Sequence, residues 1–269
     1  SPLDMIVIDH APHPKKDVEI PFAADEIAPL KIKPDGGRRI VLSYLSIGEA
    51  ERYRYYWKPE WDTAATRPAW LGTENAAWPG DYLVQFGDPE WQRIIFGTPD
   101  SYLDRILAAG FDGVFLDRVD AYQDVADETV GAEAAMTSFV IRLADYARRT
   151  RPDFLIVMQN AEELSESKPL IARLDAMAKE DLMYGHGNSE DANPPPMLRD
   201  TLLNLRRAKK LGLKIFALEY VTAPEKVAAV RTLAENEGFV LHLTERLLGT
   251  LSIDGPVAPS AANPLPPPQ

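Results

Sequence analysis

Seven short apolar runs, separated by helical patterns or loops, leave few folds open to this chain. They are Met5 to His10, Arg39 to Tyr44, Gly113 to Asp117, Phe154 to Met158, Ala176 to Ala178, Lys214 to Leu218 and Phe239 to Leu243. Apolar and polar residues hardly alternate within them. A strand with one wet face alternates with a period of two, so these runs read as parallel strands covered on both faces. Parallel neighbours require crossover connections, and helical patterns supply them. Residues 133–150 place Met136, Phe139, Val140, Leu143 and Ala147 at spacings of three and four, and residues 197–211 repeat this with Leu198, Leu202, Leu205 and Ala208. Gly110, Gly212 and Gly238 stand where helices should stop. Thr98-Pro99 reads as a cap with a first-turn proline, and Thr222 with Glu225 as a capping box.

Repeated βα units with no GxGxxG turn favour an α/β fold of the (β/α)8 TIM-barrel type over a doubly wound dinucleotide-binding sheet. The strand count is one short. Tyr82 to Phe86 is one source of an eighth strand; the abrupt opening at Met5 favours the other, a first strand upstream of Ser1. Residues 1–253 are read as the barrel domain. Residues 44–98 form a connection far longer than the ~2 to 6 residues usual between strand and helix, and all five tryptophans lie in it. Residues 254–269 carry six prolines and read as a flexible tail.

Composition removes several chemistries. Without cysteine there is no disulfide, thiolate zinc site, iron-sulfur cluster or Cys nucleophile. The chain has 29 Lys and Arg against 41 Asp and Glu, a formal charge of -12, and no basic cluster, so nucleic acid is not an expected partner. No apolar run is long enough to span a bilayer. Of the histidines at 10, 13, 186 and 242, only His10 and His13 are close in sequence. They read as solvated loop residues, and neither a metal nor another cofactor is expected. No nucleophile elbow or phosphate loop is present.

Barrel enzymes place their chemistry at the C-terminal ends of the strands, and here those ends are mostly acidic. Asp9, Asp117, Gln159 with Asn160, and Glu219 end apolar runs, while Glu49 and Glu180 follow theirs closely. Cleaving a glycosidic bond takes two carboxyl groups, one protonated to assist the leaving oxygen and one ionised to attack carbon or activate water. Asp117 and Glu180 are the expected pair, although a strand-end acid also serves as a helix cap. Glu49 and Glu219 compete as catalytic acids, as substrate contacts or as partners of a nearby Arg. Asn160 can orient a sugar hydroxyl or simply form a turn. Asp120 can support Asp117 or face solvent. Trp57, Trp61, Trp70, Trp78 and Trp91, with Tyr53, Tyr55, Tyr56 and Tyr82, either offer sugar-stacking faces or pack the long connection onto the barrel.

Longer strings narrow the reading. Tyr44-Leu45-Ser46-Ile47-Gly48-Glu49-Ala50-Glu51, Tyr53-Arg54-Tyr55-Tyr56-Trp57 and Ala109-Gly110-Phe111-Asp112-Gly113-Val114-Phe115-Leu116-Asp117-Arg118-Val119-Asp120 resemble glycoside hydrolase family 114. The resemblance extends through Val7-Ile8-Asp9, Tyr82 to Phe86, Asp88-Pro89-Glu90-Trp91, Gln159-Asn160-Ala161-Glu162, Glu180-Asp181-Leu182 and Tyr184-Gly185. It implies a (β/α)8 barrel that cuts internal α-1,4 bonds of galactosamine polymers, with retention. It also implies a first strand before Val7. By position, the family's strand-end aspartate falls on Asp117 and its later glutamate on Glu180. The resemblance thus makes Asp117 the nucleophile and Glu180 the acid/base, or the reverse. Asp9, Tyr44, Glu49, Tyr53, Trp57, Asp120, Asn160, Tyr184 and Glu219 are the substrate-binding residues it suggests.

A cleft rich in carboxylates suits a partly deacetylated, cationic polysaccharide. The competing readings are a non-catalytic carbohydrate-binding barrel of an envelope or biofilm assembly, and a barrel hydrolase acting on another glycan. A monomer that is secreted or held in the cell envelope is expected, since such a polymer is extracellular.

Overall fold

The computed structural model describes residues 1–13, 19–124, 131–185, 190–246 and 248. The tail expected at 254–269, and His186, lie outside the described residues. The chain divides into two compact units, one covering Ser1–Val157 and the other starting at Met158.

The first unit opens with β1 (Met5–Ile8), α1 (Ala24–Leu30) and β2 (Ile40–Ser46). The long connection follows, with β3 (Glu49–Glu51), β4 (Leu71–Glu74), β5 (Asp81–Val84), α2 (Pro89–Ile95) and α3 (Tyr102–Ala109). Then come β6 (Gly113–Asp117), α4 (Ala132–Thr150) and β7 (Leu155–Gln159), within which the boundary falls. The second unit continues with α5 (Lys168–Ile171), β8 (Ala176–Glu180), α6 (Pro195–Lys210), β9 (Lys214–Glu219), α7 (Pro224–Glu237) and β10 (Val240–Leu243).

The strand order is β1-β2-β6-β7-β8-β9-β10, and β1 with β2, β2 with β6, β8 with β9 and β9 with β10 pair in parallel. This is an α/β fold of the TIM-barrel class, with seven parallel strands among the described residues. Tyr82 to Phe86 does not supply an eighth. Residues 81–84 instead pair antiparallel with β3 and β4 in a separate three-stranded sheet, order β3-β5-β4.

The lack of alternation has the expected cause: Val114, Phe115 and Leu116 are all buried, as are Ala176, Met177 and Ala178. On α4, Met136, Phe139, Val140, Leu143 and Ala147 form one fully buried stripe. Gly113 is required by close approach, since a Cβ there would lie 2.3 Å from the Leu155 carbonyl oxygen. Gly110 and Gly238 cap α3 and α7 in the left-handed region, and Gly212 takes the same region just after α6.

Two capping expectations are corrected. Helix α3 starts at Tyr102 with Ser101 as its cap residue, and Thr98 lies in the preceding turn, its amide donating to Ser101 Oγ at 3.0 Å. The cap position of helix α7 is Ala223, which has no side-chain donor or acceptor, and Thr222 Oγ1 instead donates to Glu190 at 3.2 Å.

Candidate active site

Asp117 is the last residue of β6, and both its oxygens accept hydrogen bonds. Tyr44 Oη, from β2, donates to Oδ2 at 2.7 Å, and the Arg118 amide donates to Oδ1 at 2.8 Å. Burial and the adjacent Asp117 push the Tyr44 hydroxyl far above its ordinary range, so it remains a donor. Arg118 takes up left-handed backbone (φ 57°) and fans its guanidinium over acids, 3.1 Å from Glu49 Oε1 and 3.1 Å from Asp120 Oδ1. Glu49 also accepts from Asn75 Nδ2 at 2.9 Å. It is 3% exposed, and burial raises its carboxyl despite Arg118. Glu49 and Asp120 thus hold Arg118, and through it the turn behind Asp117.

Behind this lies a buried ion cluster centred on Arg54. Its Nε meets Glu51 Oε2 at 2.6 Å, and Nη1 meets both Asp9 oxygens at 2.8 Å and Glu19 Oε1 at 3.2 Å. His10 is buried rather than solvated as expected, with Nδ1 3.1 Å from Asp9 and Nε2 3.3 Å from Glu19. Burial pushes Asp9 upward, but His10 and Arg54 outweigh it and hold the carboxyl below its usual range. Asp9, His10 and Glu19 lie close enough to share a cation, but Arg54 already bonds both carboxylates there and opposes a metal. Tyr53 is partly exposed and its hydroxyl donates to Glu51.

Asp81 was not foreseen. Burial, followed by the charges of Glu51 and Glu49, pushes its carboxyl up to about 8, and Asp117 adds to the effect. It is a carboxylic acid kept largely neutral at pH 7 within an acidic group.

The second unit carries Glu180, the last residue of β8. The Tyr220 hydroxyl meets Oε1, Gln159 Nε2 donates to Oε2, and Asn160 Nδ2 lies 3.4 Å from the same oxygen. Asn160 Oδ1 in turn accepts from the Glu180 amide at 3.3 Å. Burial dominates and raises the Glu180 carboxyl. Asp181 is left-handed (φ 49°) and is gripped by Arg246 through two contacts of 2.8 Å, while the Arg246 guanidinium lies 4.5 Å from the Tyr220 ring centre. Glu219 is 1% exposed, accepts from the Met183 amide at 2.7 Å, and is pushed up to about 7 by burial. It holds the loop after β8. Tyr184 packs against Val221, Val230 and Leu243, with Lys226 5.5 Å from its ring centre.

Arg118, Asn160 and Asp181 share a feature: each directly follows a strand and takes positive φ without being glycine. Such backbone is unfavourable for L-residues and clusters at functional sites. Gly48 makes the first of these turns possible. A Cβ there would lie 2.1 Å from the Arg118 carbonyl oxygen and 2.5 Å from Ala121 Cβ.

The tryptophans divide. Trp57, Trp61, Trp70 and Trp91 are at most 6% exposed and contact one another in sequence, with ring centres 5.5, 5.1 and 5.3 Å apart. Trp57, expected at the substrate, is 2% exposed and gives its indole N–H to Asp62 at 2.9 Å. A groove of about 850 Å³ beside this ladder is lined by Tyr55, Trp61, Trp70 and Arg93 among others, and by none of the strand-end acids.

Comparison with known proteins identifies the family. Residues 3–256 match the model of glycoside-hydrolase family GH114. An uncharacterised protein of Deinococcus radiodurans is 34% identical over 257 residues, 95% of this chain and 77% of its own length. A Methanocaldococcus jannaschii protein is 35% identical over 225 residues, 81% of this chain and 60% of its own length. In fold, the chain is similar to the glycoside hydrolase domain of PelA from Pseudomonas aeruginosa, with TM-score 0.68, 19% identity, and coverage of 95% and 92% of the two chains. It is also similar to Aspergillus fumigatus Ega3, solved in complex with galactosamine, with TM-score 0.61, 19% identity, and coverage of 89% and 90%. The chain belongs to glycoside-hydrolase family GH114.

Proposed function

We propose that this glycoside hydrolase cleaves internal α-1,4-galactosaminidic bonds of a partly deacetylated galactosamine polysaccharide, with retention, through Asp117 and Glu180. The observation that carries the reading is the contrast between these two strand-end acids. Glu180 is raised by burial, as a proton donor at neutral pH must be. Asp117 accepts from Tyr44 and from the Arg118 amide, which fixes both its oxygens at the end of β6.

In the first step Glu180 gives its proton to the glycosidic oxygen while Asp117 attacks the anomeric carbon. The bond from carbon to the leaving oxygen breaks, and a glycosyl ester forms on Asp117. In the second step the Glu180 carboxylate takes a proton from water, whose oxygen attacks the same carbon, and Asp117 departs as a carboxylate. Both residues return to their starting states. Tyr220 Oη donates to Glu180 Oε1, a bond that favours the carboxylate used as base in the second step.

Support for an amino-sugar polymer comes from the family, from the acids at the strand ends, and from the galactosamine carried by the solved relative Ega3. Such a polymer is extracellular, so the reading includes secretion or an envelope location. No described helix is long and apolar enough to cross a membrane. The test is proton NMR of the first-formed anomer, with reducing-end release from deacetylated and fully acetylated polymer. The α anomer from deacetylated polymer is expected. A β anomer contradicts retention, equal cleavage of both polymers contradicts the charge argument, and binding without cleavage transfers the chain to the carbohydrate-binding reading.

A further inference from the structure

Of the five tryptophans, Trp78 alone stays open to solvent, at 47% exposure, while the other four build the ladder described above. A singly exposed apolar side chain needs no explanation in itself, but this one is held in place. The tip between β4 and β5 is closed by hydrogen bonds: Trp78 N to Asn75 O at 3.1 Å, Asp81 N to Trp78 O at 3.1 Å and Asn75 N to Asp81 O at 2.7 Å. The Ala77 amide adds a bond to Asn75 Oδ1 at 3.0 Å, and the Gly80 amide one to Glu74 Oε1 at 2.7 Å. The same tip is tied to the strand-end acids of its unit. Asn75 Nδ2 reaches Glu49 Oε1, Glu49 pairs with Arg118, and Arg118 follows Asp117 directly.

We infer that Trp78 is a stacking platform for a pyranose ring of the polysaccharide next to the ring being cleaved, a subsite fixed to Asp117 through Asn75, Glu49 and Arg118. A flat aromatic face packs on the C–H face of a sugar, and an unacetylated amino sugar adds ammonium-to-ring attraction. The hydrogen-bonded tip holds the indole in advance, which lowers the entropy lost on binding. This inference rests on the polysaccharide reading above.

The experiment measures binding of α-1,4-linked galactosamine oligomers of increasing length to the full chain carrying Glu180→Gln, by calorimetry, with and without Trp78→Ala or Trp78→Phe. With Trp78 intact, affinity should step upward once the oligomer is long enough to reach the platform. Trp78→Ala should remove that step, weakening the long oligomers roughly 5- to 10-fold while leaving the shortest binder unchanged, and Trp78→Phe should restore most of it. Equal affinities at every length overturn the platform, as does a uniform loss at all lengths with a lowered melting temperature. If the parent binds no galactosamine oligomer, the substrate reading fails and the platform with it. If the parent binds and Trp78→Ala does not differ, only the platform fails.

Discussion

Burial and hydrogen bonding pull Glu180 in opposite directions. Burial raises its carboxyl, while Tyr220 and Asn160 stabilise the ionised form, and burial wins. Removing the tyrosine hydroxyl should therefore raise Glu180 further. Tyr220→Phe is expected to move the basic limb of the kcat/KM profile to higher pH and to lower kcat by about 10- to 100-fold, read from initial rates across pH 4–9. Asp81 gives a second test, with a defined sign. Its folded carboxyl titrates at about 8 and an unfolded one near ~4, so between those values the unfolded chain ionises and the folded one resists. That contribution is fully present below pH ~4 and is lost as pH rises towards about 8. Asp81→Asn should stabilise the chain at pH 7 on the order of 1–2 kcal/mol, with no gain at pH ~4, in urea titrations at both pH values. That Asp117 and Glu180 stand at strand ends was legible because each ends or closely follows an apolar run. Arg54, Asp81, Tyr220 and Arg246 were not, because their roles depend on which distant acids they meet. Tyr220 carried one faint signal, its place immediately after a strand-end glutamate.

At the scale of elements, the seven parallel strands and the two longest helices were legible because burial on both faces suppresses alternation, and because α4 and α6 each bury one stripe. The short antiparallel sheet was not, since three- and four-residue strands carry too little pattern, and residues 82–86 looked like any apolar run. The cap signals at Thr98 and Thr222 misled for a related reason: the same hydroxyl can bond a turn or a neighbouring acid instead of the helix end. The turn after β6 depends on Gly48, which a Cβ would drive into backbone. Gly48→Ala is expected to cost about 2–4 kcal/mol in chemical denaturation and to lower activity beyond what unfolding explains, because Arg118 and Asp117 must shift. Gly36→Ala is the contrast: no atom lies within 4 Å of its Cβ position, so its penalty is confined to its positive φ.

At the scale of the whole molecule, a formal charge of -12 is set against a substrate proposed to be cationic. Association should then be steered, and salt should screen it. The kcat/KM on deacetylated polymer is expected to fall several-fold between about 20 and 500 mM NaCl, while that on short neutral oligomers changes little. A flat salt response would argue for recognition through hydroxyl contacts alone. The chemistry is proposed to rest on two acids, at the ends of β6 and β8. Reducing-end release from deacetylated α-1,4-galactosamine polymer, by the wild-type chain, Asp117→Asn and Glu180→Gln, tests it most directly, with folding checked by circular dichroism. Oligomers are expected from the wild type, with a loss of about 1,000-fold or more in each folded variant. A folded variant that keeps more than about a tenth of wild-type activity would contradict it.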